Sequence, residues 1–328
     1  MERWSRRGLL ATTALLLVPV RGNPGMVSAM TVAAAEATAT ALTASYGQQD
    51  LAQTAASARA ALETLPTLGV HPLGNTGLRD VLHAQARLGL IRARALADSG
   101  DSEGARLALV PARVRAARLH DWPMIRYAYA AEALAWLNTG QPRLALAAAY
   151  LGQNSVDLPA VIPLDARLYA ARARAWALLA QPDAARDALA GGQRLMDKAD
   201  PPLVAPPQVD QISQAEWARA AVDVHSRLGD AAAAETVATA MVRAVPPSDR
   251  PDVALALGAS RALALARTAP DEGAALLAAA LTRSAELGTP AAAVTERVDA
   301  FLTAATAHGR APDQAVTDLA ERRRSLRI

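Results

Sequence analysis

The chain has 328 residues, of which 52% are hydrophobic but only 3% aromatic, with a net charge of +3 and no cysteine. The missing cysteines exclude disulfides, thiolate metal sites and cysteine nucleophiles. The apolar content is mostly Ala, Leu and Val, so an all-helical chain with small side chains at many contacts is expected.

The first twenty residues read MERWSRRGLLATTALLLVPV. Ser5 to Leu10 resembles a twin-arginine export motif, the apolar run Leu9 to Val20 comes next, and Val27-Ser28-Ala29 is a candidate small-residue cleavage site. Twelve apolar residues are too few for a stable membrane span but suit a signal segment. The alternative is a short apolar helix covering the open end of a helical array. Residues 1–29 are read as this segment and 30–326 as one helical repeat domain.

The domain repeats itself. Tyr129 to Pro142 reads YAAEALAWLNTGQP, and Tyr169 to Pro182 reads YAARARAWALLAQP, with eight of fourteen positions identical at an offset of forty. A pair of alanines twelve residues apart brackets each turn: Ala93 and Ala105, Ala133 and Ala145, Ala173 and Ala185, Ala221 and Ala233, Ala262 and Ala274. The steps between pairs are 40, 40, 48 and 41 residues. Such a period marks stacked helical hairpins. Tyr129, Ala133 and Trp136 fall on one helix face. Small residues let the two helices of a hairpin approach, and neighbouring hairpins bury what one cannot bury alone. Fainter hairpins turning near Gly47 and Gly309 flank the five clear ones. The connection from Asp200 to Asp210, with four prolines, reads as a stiff link and a subdomain boundary. The last helix, about Asp313 to Arg327, reads as a polar cap. The expected fold is all-α: a right-handed α-solenoid of tandem helix-turn-helix hairpins with a period of about forty.

Ala133, Trp136 and Ala145, with third small positions at Ala112, Gly152, Gly192 and Ala240, resemble tetratricopeptide repeats, although the unit here is longer and lacks that family's regular terminal proline. The "LGD" turn at 228–230, "SDRPDVALALGASRALALA" at 248–266 and the terminal "AERRRSLRI" make the region similar to the helical sensor region of actinobacterial helix-turn-helix (XRE-type) regulators. That resemblance covers about residues 30–326. It implies a regulatory sensor module on the cytoplasmic side, without the family's DNA-binding domain, since thirty residues cannot hold one.

No motif of catalysis stands out. The sequence has no GxxxxGK[ST] phosphate loop, GxGxxG, HExxH or GxSxG elbow. The five histidines, at 71, 83, 120, 225 and 308, are scattered, so no metal or other cofactor is expected. Asp101, Asp183, Asp230 and Asp271 stand at turns and helix starts, where carboxylates cap helices. Arg322, Arg323, Arg324 and Arg327 lack interleaved aromatics and read as a solvated cap, so direct nucleic-acid binding is not expected.

The first helix of each hairpin lines the concave side of such a stack. Positions six before the small alanine, one after it and four or five after it then face inward. They give Arg87, Arg94 and Asp98; Tyr127 and Asn138; Arg167 and Arg174; His225; and Arg267. The seven-residue spacing of Arg87 with Arg94, and of Arg167 with Arg174, puts each pair on one helix face. Four guanidiniums in one groove suit carboxylates of a peptide or protein partner; solubilising an Ala-rich helix is the plainer role. Tyr129, Trp136, Tyr169, Trp176 and Trp217 are expected in the core. The expectation is a non-enzymatic module that binds a peptide, a protein segment or a small effector. The alternative is an exported scaffold of the cell envelope. A homodimer is left open.

Overall fold

The computed structural model describes residues 29–46, 50–65, 75–154, 162–198, 212, 214–244, 251–286, 292–307 and 314–325. All regular structure among them is helical. They form seven hairpins in order: α1 (Ala29–Ala44) with α2 (Leu51–Thr64), α3 (Asn75–Asp98) with α4 (Ser102–Leu119), α5 (Trp122–Asn138) with α6 (Pro142–Asn154), α7 (Ile162–Leu178) with α8 (Pro182–Met196), α9 (Gln214–Leu228) with α10 (Ala231–Ala244), α11 (Pro251–Leu265) with α12 (Pro270–Glu286), and α13 (Ala292–Thr306) with α14 (Gln314–Ser325). The export-like segment up to residue 28, the turns near Gly47 and Gly309, and the proline-rich stretch 200–210 lie outside the described residues.

Local chemistry starts and stops these helices. Asp101, Asp121 and Asp230 accept backbone N–H bonds from Gly104, Met124 and Ala233 at 2.8, 3.0 and 3.2 Å, satisfying amides that a helix start leaves open. Asp183 and Asp271 sit inside the first turns of α8 and α12, where they favour the helix dipole. The α5–α6 turn closes with the amide of Gln141 donating to Trp136 O at 2.9 Å, and the α7–α8 turn repeats it with Gln181 and Trp176 at 3.0 Å. That pattern needs one left-handed residue, which is Gly140 (φ 69°) in the first turn and Ala180 (φ 54°) in the second.

The paired alanines close the hairpins. Ala93, Ala105, Ala133, Ala145, Ala173 and Ala185 have no exposed surface, nor does Ala262, and Ala274 is 1% exposed. The α9–α10 hairpin departs from the expected register. There Ala233 is only half-buried, and the sealed positions are Val222 and Ala234 in one core cluster. With Val222 as the reference the steps become 40, 40, 49 and 40. The third small position moves with it. Ala112, Gly152 and Gly192 are buried, but Ala240 is exposed and Met241 takes the site. Gly192 admits the Trp217 ring and the Tyr169 Cβ, which a side chain there would displace.

Each first helix also packs on the next first helix: α1 on α3, then α3 on α5, α5 on α7, α7 on α9, α9 on α11 and α11 on α13. The second helices lie outside this layer. The first-helix layer bends back on itself far enough for α13 to touch α5. Trp217 is buried; Tyr129, Trp136, Tyr169 and Trp176 pack half-buried against the core clusters. Arg106 lies over the Trp136 ring at 4.1 Å and Arg113 over Tyr129 at 5.1 Å, covering their outer faces.

At the end of the chain, Arg323 grips Asp299 of α13 through two bonds of 2.9 and 2.8 Å, and Arg322 donates to Thr282 of α12 at 2.6 Å. Two of the tail arginines therefore fasten α14 to its neighbours. Arg324 lies on the exposed surface 3.9 Å from Glu321, and Arg327 is outside the described residues.

A buried arginine–carboxylate column as candidate functional site

The corrected register explains what fills the space between the first helices. Six before and one after the sealed position, α3 carries Arg87 and Arg94, α5 carries Tyr127 and Leu134, and α7 carries Arg167 and Arg174. On α9 the same two positions, counted from Val222, are Glu216 and Asp223, and the next inward position is Arg227. Arginines of one part of the stack thus face carboxylates of another.

Asp223 is the centre, with its side chain 1% exposed. Arg174 Nε lies 2.9 Å from it, Arg227 Nε donates to it at 3.1 Å, and Arg297 Nε, on α13, lies 3.2 Å away. Arg297 also donates to Ser260 Oγ of α11 at 2.7 Å. Glu296 accepts from Arg227 at 2.5 Å and from Arg174 at 3.1 Å. Further along, Glu216 sits 3.5 Å from Arg94 and 3.6 Å from Arg167, and Asp98 accepts from Arg94 at 2.7 Å and from Tyr46 Oη at 2.8 Å.

Burial by itself disfavours every charge here. It works against the Asp223 carboxylate, but Arg227, Arg297 and Arg174 outweigh it and hold that carboxyl far below its usual range. Burial likewise opposes Glu296, which the same three arginines keep depressed. Burial pushes Arg297 down to about 10, with Asp223 pulling the other way. For Arg227, Asp223 and Glu296 overcome burial and raise it. Asp223, Glu296, Arg297 and Arg227 are therefore held in their charged forms at neutral pH.

The inward residues expected from sequence divide into three sets. Arg94, Arg167 and Arg174 converge in the column, where the carboxylates they meet are the chain's own; the Tyr127 ring lies 5.9 Å under the Arg167 guanidinium. Arg87 and Asn138 tie helices together at the margin: Arg87 donates to Glu36 of α1 at 2.7 Å, and Asn138 Nδ2 to Ala97 O of α3 at 2.9 Å. His225 and Arg267 line two other cavities. His225 lines a cavity of about 660 Å³ between α8, α9 and α10, beside Arg186, Trp217 and Met241. Burial lowers its pKa, Arg186 adds to that, and Asp230, 3.8 Å away, opposes it. Arg267 borders a cavity of about 390 Å³ at the C-terminal ends of α7, α9 and α11, together with Arg227.

Sequence reasoning missed Glu216, Asp223, Arg227, Glu296 and Arg297. Counting α9 from Ala221 turned its inward face by one residue and selected His225. Counting from Val222 restores a forty-residue step after the proline-rich link and selects Glu216, Asp223 and Arg227. Arg297 and Glu296 carry no such signal, because their hairpin is atypical. The chain matches no protein-family model and no curated protein sequence. No group of three or more His, Cys, Asp or Glu suited to a metal occurs among the described residues, and no helix among them is long and apolar enough to cross a membrane.

Proposed function

We propose that the chain is a non-catalytic interaction or sensor module: an α-solenoid of tetratricopeptide-like hairpins that binds an acidic peptide, protein segment or small effector along its first-helix face and plays a regulatory part on the cytoplasmic side. The carrying observation is the inward convergence of Arg94, Arg167 and Arg174 from two hairpins onto carboxylates contributed by later ones. A guanidinium that grips an internal carboxylate also grips one from outside. Binding then competes with Glu296, whose release from Arg174 and Arg227 loosens α13 against α7 and leaves the Arg297–Asp223 pair as its ionic tie to α9. The ligand selects the opened state, which is a population shift.

The competition gives the test. Intact chain is titrated with short acidic peptides, with fluorescence anisotropy as readout. Glu296→Gln removes the internal competitor, so it tightens peptide binding by about tenfold, the equivalent of one charge-assisted hydrogen bond. Peptide affinity unchanged by that substitution, or no binding by any acidic peptide, rejects an acidic peptide or protein segment as the ligand.

A second reading, an exported scaffold, is favoured by the Ser5 to Leu10 motif alone. Cell fractionation decides it: Arg6→Lys with Arg7→Lys traps an exported chain inside the cell and leaves a cytoplasmic one where it was.

A further inference from the structure

Among the described residues, six guanidiniums crowd the column, those of Arg94, Arg167, Arg174, Arg219, Arg227 and Arg297, against four carboxylates, those of Asp98, Glu216, Asp223 and Glu296. The excess is localised. Arg219 of α9 is half-buried and makes no hydrogen bond and no ion pair with any described residue. Burial pushes its pKa down, Arg174 and Arg94 push it further, and Glu216 and Asp98 pull it back without reaching it. Glu216, the carboxylate nearest in sequence, is stretched between Arg94 at 3.5 Å and Arg167 at 3.6 Å.

Arg219 lines a cavity of about 60 Å³ between α3, α5, α7 and α9, and the other charged residues on its wall are Arg94, Arg167, Arg174 and Glu216. The rest of the wall is apolar, with Ala130, Leu134 and Ile212 among it. Roughly 10–15 Å³ suffices for one water, so the space takes a group of a few heavy atoms and no drug-sized ligand. With four guanidiniums and one carboxylate on its lining, the cavity carries an excess of positive charge that favours an anion.

We propose that this cavity binds a small oxyanion, a phosphate, sulfate or carboxylate group of a few heavy atoms, held by Arg219 together with Arg94, Arg167 and Arg174. This deepens the interaction-module reading and rests on the first-helix face being the binding surface, but it requires no protein partner. The anion supplies the charge that four carboxylates leave short, and it joins α3 and α7 of one part of the stack to α9 of the next. Arg219 is the residue whose charge partner is the ligand. Arg94 and Arg174 have carboxylates of their own and hold the fold as well.

The test is thermal unfolding of the full chain, exhaustively dialysed free of oxyanions, at constant ionic strength set with chloride. Inorganic phosphate, sulfate and acetate probe a free anion; phenyl phosphate probes the same group on a larger body. Wild type shows a saturable rise of several degrees for at least one of them at about a hundredfold excess over its Kd. Arg219→Leu loses that rise, yet without anion it is at least as stable as wild type, because it removes an uncompensated charge. A purely structural arginine behaves in the opposite way, with lower stability and an unchanged anion response. Arg219→Gln carries the same expectation where the leucine variant does not fold, and Arg219→Lys keeps a weakened response. A saturable response to phenyl phosphate larger than to phosphate assigns the group to a larger ligand. No saturable response in wild type to any of the four, or an undiminished one in Arg219→Leu, overturns the proposal. Failure of acidic peptides to bind while phosphate still stabilises rejects a peptide or protein partner and leaves the small-effector form of the reading, with this inference, standing.

Discussion

Asp223 and Arg297 lie 3.2 Å apart with both side chains 1% exposed, one on α9 and the other on α13. Four hairpins therefore meet at one carboxylate, since Arg174 reaches it from α7 and Ser260 stands beside it from α11 at 3.5 Å. A charge removed from such a place leaves its partners uncompensated in low dielectric. Asp223→Asn is expected to destabilise the chain by about 3–5 kcal/mol in urea denaturation followed by circular dichroism, whereas Asp223→Leu combined with Arg297→Leu costs less than that single change. The Asp223 pKa is depressed in the folded state, so its contribution is present above the ordinary carboxylate range and is lost as pH falls through the folded value. The deficit of Asp223→Asn is therefore full at neutral pH and fades only in strong acid.

The attachment of α1 responds to pH in the neutral range. His83 Nδ1 and Arg87 each meet the Glu36 carboxylate at 2.7 Å. The hydrogen bond with Glu36 raises the His83 pKa against burial, Asp121 adding and Arg87 subtracting. Burial opposes the Glu36 carboxylate, but its bonds with His83 and Arg87 depress it below the usual value. A raised histidine stabilises below its unfolded pKa, about 6.5, and loses that as pH rises through its folded pKa; a depressed glutamate stabilises above about 4.3 and loses it as pH falls through its own. The melting-temperature gap between wild type and His83→Gln is expected to be widest between these limits and to close at alkaline pH. A gap independent of pH removes the ion pair from the account.

The register of α9 and α10 is open to direct test. Ala234 is 1% exposed and Ala233 is half-buried. Ala234→Lys buries a charge against Val222 and is expected to abolish cooperative unfolding or lower stability by several kcal/mol. Ala233→Lys keeps its ammonium in water and stays within about 1 kcal/mol of wild type. Equal effects of the two contradict the one-residue shift.

Ala180 occupies the left-handed position that Gly140 fills forty residues earlier. A Cβ there costs about 1–2 kcal/mol. Ala180→Gly is expected to raise stability by about 1 kcal/mol, and Gly140→Ala to lower it by a similar amount, both read as shifts of the thermal midpoint.

Hairpin formation was written locally. Ala133 with Ala145 and Ala173 with Ala185 could be read from the chain because a helical contact repeated every forty residues leaves a periodic trace. The arginines of α3 and α7 were legible for the same reason: Arg94 and Arg174 hold the same place in their units. The caps at Asp101 and Asp230 were legible because a carboxylate one residue ahead of a helix serves it whatever the rest of the molecule does. Residues beyond the periodic units were not legible. Crossing the proline-rich link, a one-residue error in counting rotates a helix face by about 100°, enough to put Val222 in the place of Asp223 and to select His225 where Arg227 points inward.

By itself, then, the sequence determined helices, turns and the pairing of each helix with its neighbour, since those depend on residues within one unit. Tertiary structure alone decided which carboxylates answer the arginines. Arg174 and Glu296 are separated by 122 residues and meet at 3.1 Å, and that meeting depends on the summed bend of several stacked hairpins, a quantity no local pattern records. The same sum brings Arg219 to a cavity wall that it shares with three other arginines and a single carboxylate, Glu216.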